Sequence, residues 1–289
     1  MDAAEIPDRP EFQGRLPDAF LTPGSSSFVE FLQAQAPGFL PANRRLPAAA
    51  HPDFGETLPH ATTVVAAAYA DGVLIAADRR VTAGNLIANR DYEKVLQADD
   101  HSAVGIAGST GIAEEMVALF RMELAHFEKI ESTALSLVGK ANRLGTLIRG
   151  NLELATQGLA VVPLYVGYDA PTARGRIFSY DVTGGRSEER HFAGTGSGSV
   201  FALGSLKKLW REGMAEREAA TAAVQALYDA AEEDTATGGP DATRRLYPLV
   251  AVVDADGFRM LPEADVTEIA QQVVSGRYER PDGPAAPVL

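Results

Sequence analysis

Residues 61–78 read Ala61-Thr62-Thr63-Val64-Val65-Ala66-Ala67-Ala68-Tyr69-Ala70-Asp71-Gly72-Val73-Leu74-Ile75-Ala76-Ala77-Asp78. The β-branched start, the Asp71-Gly72 pair and the apolar return describe a hairpin, with strands over 62–69 and 73–78. Everything before this stretch has a different composition. Nine of the 17 prolines and six of the 12 phenylalanines fall within residues 1–61. Dense proline forbids long helices and removes ladder donors, while Phe12, Phe20, Phe28, Phe31, Phe39 and Phe54 supply apolar anchors. The segment therefore reads as extended and docked on a folded body. One short helix is expected where Ser27-Phe28-Val29-Glu30 forms a capping box, with Phe28, Phe31 and Leu32 on its apolar side.

Downstream, a second strand pair is expected at 94–97 and 103–108, around Asp99-Asp100. Ile112, Met116, Phe120, Leu124 and Phe127 recur at helical spacing, and a second helix is expected over 134–156. Strands return at 159–168 and 175–181, and the Gly184-Gly185 turn leads into a polar strand ending at Phe192. The Gly-Ser stretch 194–199 opens a helix through Trp210. A helix follows at 216–231, then strands at 246–253 and 258–261 around Asp256-Gly257, and a last helix at 264–275. The Pro- and Gly-containing tail, 278–289, reads as disordered. Strands, two helices, strands, two helices, strands is an order that favours helices on the faces of antiparallel sheets over an alternating parallel fold.

The chain has 289 residues, enough for one large domain or two modest ones. Hydrophobic residues are 46% and charged residues 22%, an ordinary globular composition. The formal net charge of −13 argues against nucleic-acid and anionic-membrane partners, which require a positive face. The absence of cysteine excludes disulfides, thiolate metal sites and a cysteine nucleophile. The five histidines do not pair at ligand spacing, and no metal or organic cofactor is expected. The acidic start lacks a secretory apolar core, and no apolar run reaches spanning length, so the expected compartment is the cytoplasm.

The chemistry concentrates at Ala61-Thr62. Scission there would give Thr62 a hydroxyl nucleophile and a free α-amine on one residue. An α-amine titrates near ~7.7–8.0, so it can serve as base without a histidine. Asp78 closes the hairpin beside Thr62, and an adjacent strand would bring Lys94 to the same place. A cation there favours the neutral amine, and Asp78 would orient that cation. Gly108, just before a helix, could offer its N–H to a developing oxyanion. Taken singly, Thr62 is a strand opener, Asp78 a turn residue and Lys94 a solvated charge. The Gly-rich run 194–199 lacks the final glycine of a dinucleotide fingerprint and reads equally as a tight turn and helix cap.

The strings Thr62-Thr63-Val64-Val65-Ala66, Asp78-Arg79-Arg80, Gly105-Ile106-Ala107-Gly108, Arg149-Gly150-Asn151-Leu152, Gly196-Ser197-Gly198-Ser199 and Thr237-Gly238-Gly239-Pro240-Asp241 together resemble the catalytic β subunit of the 20S proteasome, an N-terminal nucleophile hydrolase, most closely its actinobacterial type. The resemblance covers residues 62–277. It implies an α+β fold, a four-layer αββα sandwich of two antiparallel sheets between helix pairs, and threonine-dependent peptide-bond hydrolysis. Thr62 takes the place of the nucleophile, Asp78 and Lys94 complete the triad, and Gly108 is the oxyanion-hole glycine. Ser197 lies near the Thr62 amine, supported by Asp234, and Thr237 stands where many members carry serine.

Val81, Thr82, Leu96, Ile106 and Thr110 map to the pocket for the substrate side chain, and ordinary core accounts for them as well. Residues 1–61 become a propeptide removed by self-cleavage. Ala61 stands where the family commonly has glycine, and its Cβ crowds the self-cleavage turn. The implied partners are other β subunits in seven-membered rings, with two β rings stacked between two rings of proteasome α subunits. A ring-shaped proteasomal ATPase and substrates carrying a ubiquitin-like tag complete the set. Two alternatives remain from the residues: another self-processing amidohydrolase, and a non-catalytic ring subunit.

Overall fold

The computed structural model describes residues 28–35, 37, 40 and 62–286. Ala61, Ser27, Phe12, Phe20, Phe39 and Phe54 lie outside the described residues. Helix α1, Phe28–Gln35, is the short helix expected in the proline-rich segment. The body begins with β1 (Thr63–Tyr69), β2 (Gly72–Ala77), β3 (Val81–Ala83), β4 (Leu86–Asn89), β5 (Val95–Asp99) and β6 (Ser102–Gly105). Helices α2 (Thr110–Glu131), α3 (Leu137–Gly150) and α4 (Leu152–Thr156) follow, then β7 (Leu164–Asp169), β8 (Arg174–Tyr180), β9 (Arg186–Glu189) and β10 (Phe192–Gly196). The chain continues through α5 (Ser199–Leu209), α6 (Glu216–Glu233), β11 (Leu249–Asp254), β12 (Gly257–Met260) and α7 (Glu263–Glu279).

Two five-stranded antiparallel sheets form the centre, in the orders β10-β1-β2-β11-β12 and β5-β6-β7-β8-β9. The alternation of side chains along each strand builds three buried layers. Val64, Ala66, Ile75, Ala77, Ala251 and Val253 point from the first sheet into the second, meeting Val95, Ala103, Leu164, Val166 and Ile177. Val65, Leu74, Ala76, Val250 and Val252 point the other way, onto α5, α6 and α7. Val104, Ile106, Tyr165 and Phe178 pack against α2 and α3. Strands buried on both faces read as nearly unbroken apolar runs, as 63–69 and 72–77 do. The four-layer αββα sandwich is therefore the observed architecture.

Helix α1 docks on this body. Val29 and Leu40 are buried in the layer shared with α2, and the Phe28 ring lies 5.6 Å from that of His126. Each such apolar side chain contributes about 1.5–3 kcal/mol when fully buried.

Four expectations are corrected. The helix expected over 134–156 is broken at Asn151, whose Nδ2 donates to Leu147 O and whose backbone leaves helical values. The strand expected from 159 starts at Leu164, because Pro163 precedes it and Val161 is held separately against Gly108. The polar strand expected to end at Phe192 is two strands in different sheets: β9 closes the second sheet, and β10 crosses to pair with β1, taking Gly194–Gly196 out of the expected loop. Helix α7 runs to Glu279 rather than Ser275, and the buried Arg277 side chain donates from Nη1 to Pro281 O. The short hairpin β3–β4 was not expected at all.

Candidate active site

The β1–β2 register pairs Val64 with Ala77, which sets Asp78 opposite Thr63. Thr63 N–H donates to Asp78 Oδ1 at 2.9 Å, and Asp78 N–H donates to Thr63 O at 3.2 Å. Asp78 Oδ2 accepts the N–H groups of Arg80 (2.8 Å) and Gly238 (2.9 Å). Lys94 Nζ donates to Asp78 Oδ1 at 2.7 Å and to Arg80 O at 2.5 Å. Both charged side chains are 0% exposed. Burial disfavours the Lys94 ammonium and holds its pKa below the ordinary lysine range, with the Asp78 carboxylate pulling the other way. Lys94 does not lie on a strand adjacent to β1. It precedes β5 in the second sheet, fixed there by the Ile106 N–H donating to its carbonyl at 2.9 Å, and reaches Asp78 across the interior.

Thr62 is the residue before β1 and is 1% exposed. Its carbonyl lies against Gly196, which has φ +95°; a Cβ there would stand 1.8 Å from Thr62 O. Only glycine lets β10 run so close to the residue expected to react. Beyond Gly196 the chain delivers a second polar group. Ser197 Oγ donates to Asp234 Oδ2 at 2.5 Å, Thr237 Oγ1 donates to the same oxygen at 2.6 Å, and Ala236 N–H donates to Asp234 Oδ1 at 3.2 Å. Thr237 is fully buried. So Ser197, Asp234 and Thr237 converge, although they come from the end of β10 and the segment after α6.

Gly108 has φ +101° and bridges Val161. That bridge uses Ser109 N–H to Ala160 O (2.9 Å) and Val162 N–H to Ala107 O (3.0 Å), and the Gly108 N–H makes neither bond. Of the expected pocket residues, Val81 and Thr82 are buried on β3, Thr110 opens α2, and Leu96 and Ile106 pack into the α2–α3 side of the core. Among the described residues no group of three or more His, Asp or Glu could hold a metal ion, and no helix is long and apolar enough to cross a membrane.

A family model described as "Proteasome subunit" matches residues 58–241. The chain is 58% identical over 277 residues to a proteasome subunit beta of Streptomyces griseus, covering 96% of this chain and 97% of that one. It is 57% identical to a proteasome subunit beta of Acidothermus cellulolyticus, with 94% of each chain covered. A proteasome subunit beta 2 of Thermomonospora curvata is 54% identical, over 97% of this chain and 99% of the other. The chain belongs to the proteasome β-subunit family. As a proteasome β subunit it is part of a protein hydrolase and assembles with other proteasome subunits, which sets aside the small-molecule amidase alternative.

Several residues of this proteasome β subunit's site escaped the sequence reading. Thr63 was quoted only as part of a string, yet it touches both polar groups. Gly238 and Arg80 act through backbone atoms, which side-chain patterns do not announce. Outside the residues bonded to Asp78 and Asp234, Tyr92 donates from its hydroxyl to Glu114 Oε1 at 2.5 Å, and burial, reinforced by Glu114, pushes its phenol well above the ordinary tyrosine range. The two residues are 22 apart in sequence with nothing to link them before folding.

Proposed function

We propose that the chain is the precursor of a threonine-type endopeptidase of the proteasome core, activated by self-cleavage between Ala61 and Thr62. In the precursor, Thr62 nitrogen is an amide and cannot act as base. Lys94, pushed by burial towards its neutral form, takes the Thr62 hydroxyl proton as Oγ attacks the Ala61 carbonyl carbon. The C–N bond breaks with the proton passing to nitrogen, and water hydrolyses the resulting ester to release residues 1–61. In the mature chain, Thr62 Oγ attacks the scissile carbonyl of a substrate. The new α-amine accepts the hydroxyl proton and returns it to the departing amine, leaving an acyl ester that water hydrolyses.

Lys94, held by Asp78, favours the neutral α-amine. Ser197, Asp234 and Thr237 form the polar support beside it, and Gly108 N–H receives the oxyanion. Val81, Thr82, Leu96, Ile106 and Thr110 shape a mainly apolar substrate pocket. Residues 1–61 mask the amine until assembly, with α1 as one anchor. The mature subunit works in the cytoplasm in seven-membered β rings stacked between α rings, fed with tagged, unfolded proteins by a ring-shaped ATPase.

One observation carries this reading: the buried Asp78–Lys94 pair is bonded through Asp78 Oδ1 to the backbone of Thr63, the residue covalently joined to Thr62. Intact-mass analysis and N-terminal sequencing of active particles test it. A chain of 289 − 61 = 228 residues beginning at Thr62 is expected. Thr62→Ala should give an uncleaved, inactive precursor; an active, mature-sized Thr62→Ala chain would overturn the mechanism.

A further inference from the structure

Four hydroxyl and carboxylate groups near Thr62 leave little freedom in where their hydrogens sit. Asp234, as a carboxylate, only accepts, and its Oδ2 receives Ser197 Oγ at 2.5 Å and Thr237 Oγ1 at 2.6 Å. The single hydrogen of Thr237 is thereby committed to Asp234. Thr63 Oγ1 lies 2.6 Å from Thr237 Oγ1, so in that contact Thr63 donates. Gly198 N–H, 3.1 Å away, donates to Thr63 Oγ1. The bonds therefore run in one direction, from Gly198 N–H through the Thr63 and Thr237 hydroxyls to Asp234, where Ser197 meets them. Thr63 is 0% exposed, so water does not compete for its hydroxyl. Its backbone N–H is separately committed to Asp78 Oδ1, the oxygen that also holds Lys94.

We infer that Thr63 is a positioning residue: its hydroxyl and amide tie the Asp234–Ser197–Thr237 group to the Asp78–Lys94 pair and so fix the orientation of Thr62, its covalent neighbour. The inference rests on the proposed role of Thr62. A strand-forming residue without the hydroxyl would keep the β1 ladder and the Asp78 bond. It would leave Gly198 N–H without its acceptor and Thr237 Oγ1 without its donor in a buried place. Alignment of Thr62 against an attacked carbonyl then loosens, which reduces turnover more than substrate binding.

The test compares Thr63→Val, Thr63→Ala and Thr63→Ser with Thr62→Ala in purified, assembled particles, using a fluorogenic peptide. Thr63→Val and Thr63→Ala should lower kcat about tenfold with KM changed less than about twofold, and displace the acidic limb of the kcat/KM pH profile. Thr63→Ser should restore kcat to within about threefold and return the limb to its wild-type position. Conversion of the precursor is followed on the same variants. Should Val and Ala stall at the precursor while Ser matures, the hydroxyl is again the cause. The inference is overturned if Val and Ala match the wild type in kcat and pH profile, or if Ser fails alongside them, which would assign the effect to packing. An active Thr62→Ala would instead remove the role of Thr62 itself, whereas an inert Thr62→Ala beside an unimpaired Thr63→Val sinks only the role of Thr63.

Discussion

Lys94 reaches the Asp78 carboxylate from the opposite sheet, Nζ to Oδ1 across 2.7 Å, and neither side chain meets solvent. The pair thus joins the end of β2 to the start of β5, beside Thr63. A buried pair of this kind brings little net stability, because desolvation offsets attraction. Under the proposed function, the pair is kept in the interior to serve Thr62 rather than to add stability.

Lys94→Ala separates structure from chemistry. Loss of one member of a buried ion pair costs up to about 3–5 kcal/mol when the other is left uncompensated. Here the Asp78 carboxylate keeps three backbone N–H donors, from Thr63, Arg80 and Gly238. The cost should fall at or below the low end of that range. Lys94→Ala should fold and enter rings while losing maturation and peptide turnover. Size-exclusion profiles with peptidase assays check this, and near-normal turnover would remove Lys94 from the active group.

The same lysine gives a pH signature. Burial lowers its folded-state pKa below the ordinary value of 10.5, so within that window the unfolded chain binds a proton that the folded chain lacks. Stability from this residue therefore rises with pH up to about 10.5, at no more than about 1.4 kcal/mol per pH unit. Lys94→Met carries no such titration. The unfolding midpoint of the wild-type precursor relative to Lys94→Met should climb as the pH approaches that limit from below. A relative midpoint that falls instead would mean that Asp78 outweighs burial.

What the sequence made legible follows from range. Thr62, Asp78 and the hairpin between them are local, and an Asp-Gly turn with apolar strands fixes their pairing. Lys94 was recognised as a residue but assigned to the wrong sheet, because strand order depends on packing between layers that no local pattern encodes. The Gly-Ser run after Ala193 looked like a loop because glycine is a poor strand former. Pairing with β1 overrides that preference at Thr63↔Gly196 and Val65↔Gly194. Thr63 was passed over since its importance lies in bonds to residues 135 and 174 positions away.

Ala61 offers a test that needs only the bond it flanks. Self-cleavage requires the Ala61–Thr62 peptide to bend towards the Thr62 hydroxyl, and a Cβ restricts that turn where glycine would not. Ala61→Gly should therefore speed conversion of the precursor without altering kcat or KM of the mature particle, which under the proposed cleavage would begin at Thr62 in either case. Gel-resolved time courses of maturation measure the first and peptide assays the second. Equal conversion rates would show that another step limits processing.

Gly108 carries the most demanding backbone requirement of the proposed oxyanion site. Its φ of +101° is one that side chains rarely adopt, and an added Cβ would stand 2.1 Å from Ala160 O, within the bridge to Val161. Gly108→Ala must move that bridge and with it the N–H proposed to receive the oxyanion. Strain of this kind costs about 1–3 kcal/mol, and removal of one oxyanion donor lowers kcat about 10²–10³-fold. Gly111→Ala, three residues on, is the control: a Cβ there meets nothing within 4 Å on α2, so it should be neutral or slightly stabilising. Thermal unfolding and kcat measured on both variants decide the point. A Gly108→Ala particle that is destabilised yet keeps wild-type kcat would show that the backbone constraint serves folding alone and that the oxyanion is held elsewhere.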